Sequence, residues 1–175
     1  MEYFVYGRDR VGADGLKESL GEEHWAFMDR YDDRLIARGP TLTGQDDDAR
    51  STGSLHIVEL PDVEAVQEFA YEEPYYRAGV FETVDIYAFV NTSARTMWQF
   101  TDAIATYDRY LLLALGDIPT PPKSTHLIVY GELLSLDGQT PLGQAALVEA
   151  PDPQSAATLL PGTTETHPWT FGGRR

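Results

Sequence analysis

The spacing of apolar positions changes several times along this chain of 175 residues, and each change marks an element. Tyr3 to Tyr6 is a short aromatic and β-branched run closed by Gly7-Arg8-Asp9, which reads as a strand. Leu16, Leu20, His24, Phe27, Met28, Tyr31 and Leu35 then recur at helical spacing. The other face carries Lys17, Glu22, Asp29, Arg30, Asp33 and Arg34. One amphipathic helix of roughly five to six turns is therefore predicted, stopped by Gly39-Pro40. Ser54 to Leu60 alternates and ends at Pro61-Asp62, as a half-buried strand does. Asp62 suits the N-cap of a second helix whose apolar face is Ala65, Val66 and Phe69. Val84 to Val90 is a strong strand. The predicted order is β-α-β-α-β, an α+β unit with its helices on one face of an antiparallel sheet.

Ser93 is placed to cap a third helix, Ala94 to Leu115, ended by Gly116. Ile118-Pro119-Thr120-Pro121-Pro122 reads as a stiff linker. Beyond it the chain echoes itself. His126 to Gly131 echoes Tyr3 to Gly7, and Ala145 to Asp152 echoes Leu55 to Asp62. Gln154 to Leu160 parallels the second helix, whereas Leu136 to Gln139 looks like a hairpin turn where the first helix should be. The tail, Gly162 to Arg175, either packs loosely or adds an edge strand. The expected organisation is a first domain over 1–92, a helix and Pro-rich linker over 93–122, and a degenerate repeat over 123–175 packed on the first.

Charge narrows the partners. The formal net charge is −15, from 28 acidic and 13 basic residues. A field of that sign repels nucleic acid phosphates and anionic lipid, so neither is expected as a partner. No apolar run approaches a bilayer-spanning length, and Met1 to Tyr6 has no basic region or cleavage site of a secretory signal. There is no cysteine, which removes disulfides and thiolate chemistry together. The expected compartment is the cytoplasm. No metal or other cofactor is expected. Asp46-Asp47-Asp48 lacks the spaced ligands of a cation loop, and no histidine pair has the i, i+4 spacing of a helical metal site. No glycine-rich phosphate loop or Gly-x-Ser-x-Gly elbow occurs.

The stretch Glu72-Glu73-Pro74-Tyr75-Tyr76-Arg77-Ala78-Gly79 concentrates chemistry between a helix and a strand. Pro74 pushes Glu73 toward extended backbone and suits the first position of a new helical turn. Glu73 is thus expected at a fixed corner, its carboxylate aimed inward. Tyr75 and Tyr76 bring apolar faces with polar tips, suited to a small-molecule pocket or to a well-packed corner. His24 falls on the apolar stripe of its helix, four residues after Leu20 and three before Phe27. A satisfied core histidine fits that position, and so does an acid–base group, because imidazole titrates near neutrality.

Several segments carry a resemblance. They are the amino-terminal strand, His24, Leu35-Ile36-Ala37-Arg38-Gly39-Pro40, Gly53-Ser54, Glu73-Pro74-Tyr75 and Ala78-Gly79-Val80-Phe81. Over a little more than its first half the chain resembles the YCII-related family of small dimeric proteins. The resemblance implies ferredoxin-like units that pair through their sheets and a histidine–acid dyad, and one branch is a dehydrochlorinase of a chlorinated hydroxyquinol. It maps the dyad onto His24 and Glu73, with Glu-Pro standing where Asp-Pro is usual. It implies a small-molecule enzyme of lyase or dehalogenase type acting on a small cyclic or aromatic substrate. In that reading His24 accepts the proton, Glu73 orients it, and Tyr75 and Trp25 form pocket walls. The alternative is a non-catalytic ligand-binding or assembly module of the same fold. A second half that fills the partner's place would make the chain a pseudo-dimeric monomer; otherwise a homodimer is expected.

Overall fold

Tyr3 and Val5 turn to one side of the first strand and Phe4 and Tyr6 to the other, and all four are buried. A strand covered on both faces lies between two packed layers. The computed structural model describes residues 1–117 and 123–173. Its first half runs β1 (Glu2–Asp9), α1 (Asp14–Ser19), α2 (Gly21–Asp29), β2 (Leu35–Leu42), β3 (Ser51–Glu59), α3 (Val63–Tyr71), α4 (Pro74–Arg77) and β4 (Phe81–Asn91). Its second half runs β5 (Asp108–Leu115), β6 (Leu127–Leu134), β7 (Pro141–Ala150), α5 (Pro153–Ala157) and β8 (Glu165–Pro168).

The fold is α+β, with one antiparallel sheet in the order β2-β3-β1-β4-β6-β7-β5-β8. The first four strands have the ferredoxin-like order, and the last four repeat it with β5 in the place of β1. The two halves are joined where β4 pairs with β6, Ala88 to Asn91 against Leu134 to Gly131. The outer edges then meet. Thr41 bridges Trp169, Thr170 N–H donates to the Pro40 carbonyl at 3.3 Å, and Gly172 N–H donates to the Arg38 carbonyl at 3.0 Å. The sheet is thereby closed into a barrel. Phe4, Leu55, Ile57, Leu111, Leu147 and Trp169, from both halves, fill its interior. Tyr3, Val5 and Val58 face outward against Met28, Val66 and Phe69 of the helices. Tyr110, Leu112 and Val148 do the same against Ala156 and Leu160. Each such side chain, fully buried, contributes roughly 1.5–3 kcal/mol.

Three sequence expectations are corrected. The helix expected from Leu16 to Leu35 is two short helices, α1 and α2, followed by a 3₁₀ turn at Asp32–Arg34 and then strand β2. Gly39-Pro40 therefore lies inside a strand instead of ending a helix. Pro40 is tolerated because β2 has only the short seam with the tail on its far side. The helix expected from Ala94 to Leu115 is a loop with one 3₁₀ turn at Met97–Gln99, then strand β5. Ser93 caps no helix; its hydroxyl donates to Asn91 Oδ1 at 2.6 Å and accepts from Tyr130 N at 3.2 Å. In both errors a continuous apolar run belongs to a strand buried on both faces, whose period cannot be told from that of a buried helix. The Pro-rich linker expected at Ile118 to Pro122 lies outside the described residues. Gln154 to Leu160 does contain α5, and the tail adds strand β8 at the end of the sheet.

Candidate active site

Pro74 and the sequence ahead of it fix the acid. Glu73 has the extended backbone (φ −63°, ψ 133°) that a following proline favours, and it caps α4 with Pro74 in the first turn. Its Oε2 accepts from Tyr76 N at 3.0 Å, and its Oε1 accepts from His24 Nδ1. Both oxygens are committed, so the carboxylate cannot swing. Glu73 is 3% exposed and His24 7% exposed. With Nδ1–H given to Glu73, the lone pair of the imidazole sits on Nε2. That nitrogen has no hydrogen-bond partner among the described residues. The Tyr75 ring lies parallel to His24, with centroids 4.2 Å apart and 8° between the planes. Burial above all, then the nearby Glu73 and Asp9 carboxylates, push the Tyr75 phenol up to about 12.

His24 and Tyr75, with Glu73 behind the imidazole, line a cleft of about 370 Å³ on the outer side of the first half of the sheet, the carboxylate itself staying out of the lining. His24, Trp25 and Tyr75 form its helical side, and Arg38, Ser54 and His56 form its strand side. Phe171, Gly172 and Gly173 of the tail close a third side. A second, more open cavity of about 580 Å³ adjoins it, sharing Lys17, Trp25, Pro40 and Tyr75. The four residues expected to act together, His24, Glu73, Tyr75 and Trp25, thus lie at one place: the first three touch, and Trp25 stands at the mouth, 39% exposed.

The sequence reading missed three residues of the cleft. Lys17, placed there on the solvent face, is 9% exposed and its Nζ donates to Asp9 Oδ2 at 2.9 Å, Ser51 Oγ at 2.6 Å and Gly53 O at 3.2 Å. Burial lowers its ammonium from the usual lysine range, and Asp9 opposes that shift. Arg38 is 2% exposed, and its guanidinium lies against Gly173, where an added Cβ would approach Cζ to 2.3 Å. His56 is buried beside His24, ring centroids 5.6 Å apart. Burial first, then the neighbouring His24, Arg38 and Lys17, hold its imidazole well below the usual histidine range. The available signal was the period of two in Ser54 to Leu60, which puts Ser54 and His56 on the face opposite Leu55 and Ile57.

Among the described residues, no group of three or more histidines, aspartates and glutamates is arranged to hold a metal ion. No helix among them is long and apolar enough to cross a membrane.

A closed α+β barrel carrying a histidine–carboxylate pair in an outer cleft defines a small class of folds. Within it, this chain belongs to the YCII-related domain family, which matches residues 1–90. Protein YciI of Escherichia coli O6:H1 is 33% identical over 94 residues, covering 51% of this chain and 96% of the relative. An uncharacterised protein of Haemophilus influenzae is 27% identical over 94 residues, with the same coverage. Among solved structures, the chain resembles the 5-chloro-2-hydroxyhydroquinone dehydrochlorinase of Burkholderia phenoliruptrix AC1100 in complex with 2,5-dihydroxybenzoquinone. That match has a TM-score of 0.50 and 26% identity, covering 54% of this chain and 99% of the neighbour.

Proposed function

We propose that this protein is a small-molecule enzyme of the YCII type, performing acid–base lyase or dehalogenase-type chemistry on a small cyclic or aromatic substrate. The observation that carries the reading is the hydrogen bond from His24 Nδ1 to a doubly anchored Glu73, with the His24 ring in the wall of an open cleft. His24 Nε2 is the proton acceptor, and Glu73 fixes the tautomer and stabilises the imidazolium that forms. In an elimination the bond pair left by that proton becomes a new π bond. The leaving group departs with its own pair, and the imidazolium later returns its proton to solvent. The small ring of the ligand named for the dehydrochlorinase neighbour is compatible with a cleft of about 370 Å³. Trp25 and Tyr75 flank the ring of the substrate.

The test is a turnover screen of halogenated hydroxyquinols and related cyclic acids with wild type, His24→Asn and Glu73→Gln. His24→Asn is expected to lower kcat by about two to four orders of magnitude. Glu73→Gln keeps an oxygen for Tyr76 N and is expected to lose less. Unchanged turnover in His24→Asn would remove the assignment. A second reading, a ligand-binding module without turnover, is favoured by Glu73 standing where the resemblance has aspartate; tight binding with no product in any arm would establish it.

A further inference from the structure

His56 is the group in the cleft that the acid–base reading leaves without a task. It sits in the middle of β3 on the outer face, 6% exposed, with its ring edge-on to Phe69 at 5.7 Å. Among the described residues neither ring nitrogen has a hydrogen-bond partner, although the ring lines the cleft. Neither nitrogen is among the sealed side-chain atoms that lack a partner, so the ring opens its polar edge onto the cleft. A valine or leucine there would pack on Phe69 and offer the cleft no such edge.

The surroundings say what the missing partner is. The chain carries a net charge of −15, yet no carboxylate is among the described residues that line this cleft. Lys17, Arg38, His24 and His56 all line it. The acids nearest to it are spent: Glu73 on His24 and Tyr76 N, Asp9 on Lys17 and Ser51. A pocket lined by two cations, Lys17 and Arg38, and two neutral imidazoles favours negative charge on what enters it. Held neutral by burial and by its neighbours, the His56 ring keeps one N–H to donate and does not compete as a base with His24.

We propose that His56 is a ligand-binding residue, donating a hydrogen bond to an ionised oxygen of a planar enolic or phenolic acid held in this cleft. The proposal rests on the small-molecule reading above and specifies its substrate class: a ring that enters already deprotonated. His56 fixes one ionised oxygen and so sets which edge of the ring meets His24 Nε2.

The probe is 2,5-dihydroxybenzoquinone, a planar acid, and its control is hydroquinone, a ring of similar size whose hydroxyls stay un-ionised at neutral pH. Binding is measured by titration calorimetry with wild type, His56→Val and His56→Gln. Wild type is expected to bind the acid at least tenfold more tightly than hydroquinone. His56→Val is expected to weaken the acid about tenfold or more, as loss of a hydrogen bond to a charged group does, and to leave hydroquinone unchanged. His56→Gln, which keeps an N–H donor, is expected to recover part of the loss. A measurement on the wild type alone guards against a variant that fails to fold: in spectra of ¹⁵N-histidine-labelled protein, the His56 ring signals shift on adding the acid. Equal affinity of wild type and His56→Val for the acid, or unmoved His56 signals in saturated protein, would overturn the inference and leave the His24 assignment standing. No binding of either probe by the wild type would overturn both.

Discussion

The side chains of the cleft divide between those held by hydrogen bonds and those held by packing. Glu73 does two jobs with two oxygens, capping α4 and fixing His24, and neither job is open to an apolar replacement. Tyr75 is held by stacking, and its buried phenol gives the site a pH signature. Its folded-state value, about 12, lies above the usual tyrosine value near 10. The folded protein therefore binds the phenolic proton more tightly than the unfolded chain does. The stability this contributes is fully present below about pH 10 and is lost as pH rises toward 12. Lys17 works the other way, because burial has lowered it and unfolding restores proton affinity. Thermal melts from pH 9 to 12 are expected to show a shallower decline in Tyr75→Phe than in wild type, since only the tyrosine contribution is removed. At this scale the His24–Glu73 pair was legible, because a proline behind an acid and a histidine on an apolar stripe are local signals. Lys17 was not. The sequence suggests one unbroken helix, which turns Lys17 outward, whereas the break between Ser19 and Gly21 resets the helical phase and turns it in.

At the scale of elements, the strands with one partly polar face were readable and the strands apolar on both faces were not. Ser54 to Leu60 alternates because one of its faces meets a cleft. Leu35 to Ala37 and Tyr110 to Ala114 are apolar throughout because barrel interior and outer layer both claim residues of each: Leu35, Tyr110, Leu112 and Ala114 face outward, and Ile36, Ala37, Leu111 and Leu113 face inward. Gly39 shows what the closed sheet requires of β2. A Cβ there would stand 2.0 Å from the Thr170 carbonyl oxygen and 2.8 Å from Trp169 Nε1. Gly39→Ala is expected to push the tail off β2 and to cost roughly 1–3 kcal/mol, as overpacking does. For a chain of this size about 2–4 °C of Tm accompanies each kcal/mol. Differential scanning calorimetry reads the shift, and hydrogen exchange at Thr170 and Gly172 is expected to accelerate in the same variant. A Tm equal to wild type would show that the seam yields without cost.

At the scale of the molecule, the second half completes what the first half begins. The strand order β6-β7-β5-β8 repeats β2-β3-β1-β4, and the interior is shared between them. The echo between the halves was visible in sequence, and β7 and α5 do correspond to β3 and α3, but β6 stands in the place of β2 and not of β1, because β5 lay hidden in a predicted helix. We propose that the chain is its own dimer: the face a separate unit would bury against a partner is already covered. Sedimentation over a wide concentration range is expected to give the 19.5 kDa monomer. A segment of residues 1–92 alone is expected to self-associate. A concentration-dependent dimer of the intact chain would count against the proposal.

Covalent joining of the halves has a consequence at the tail. In a symmetric pair every substitution is made twice, and a residue that improves one cleft must be acceptable in its duplicate. Here Phe171, Gly172 and Gly173 occur once and border one cleft. They are free to change with the molecule that binds there, under no obligation to a twin. Lineages of such fused chains should therefore diversify fastest at this carboxy-terminal rim, while the strands beneath stay constrained by the core.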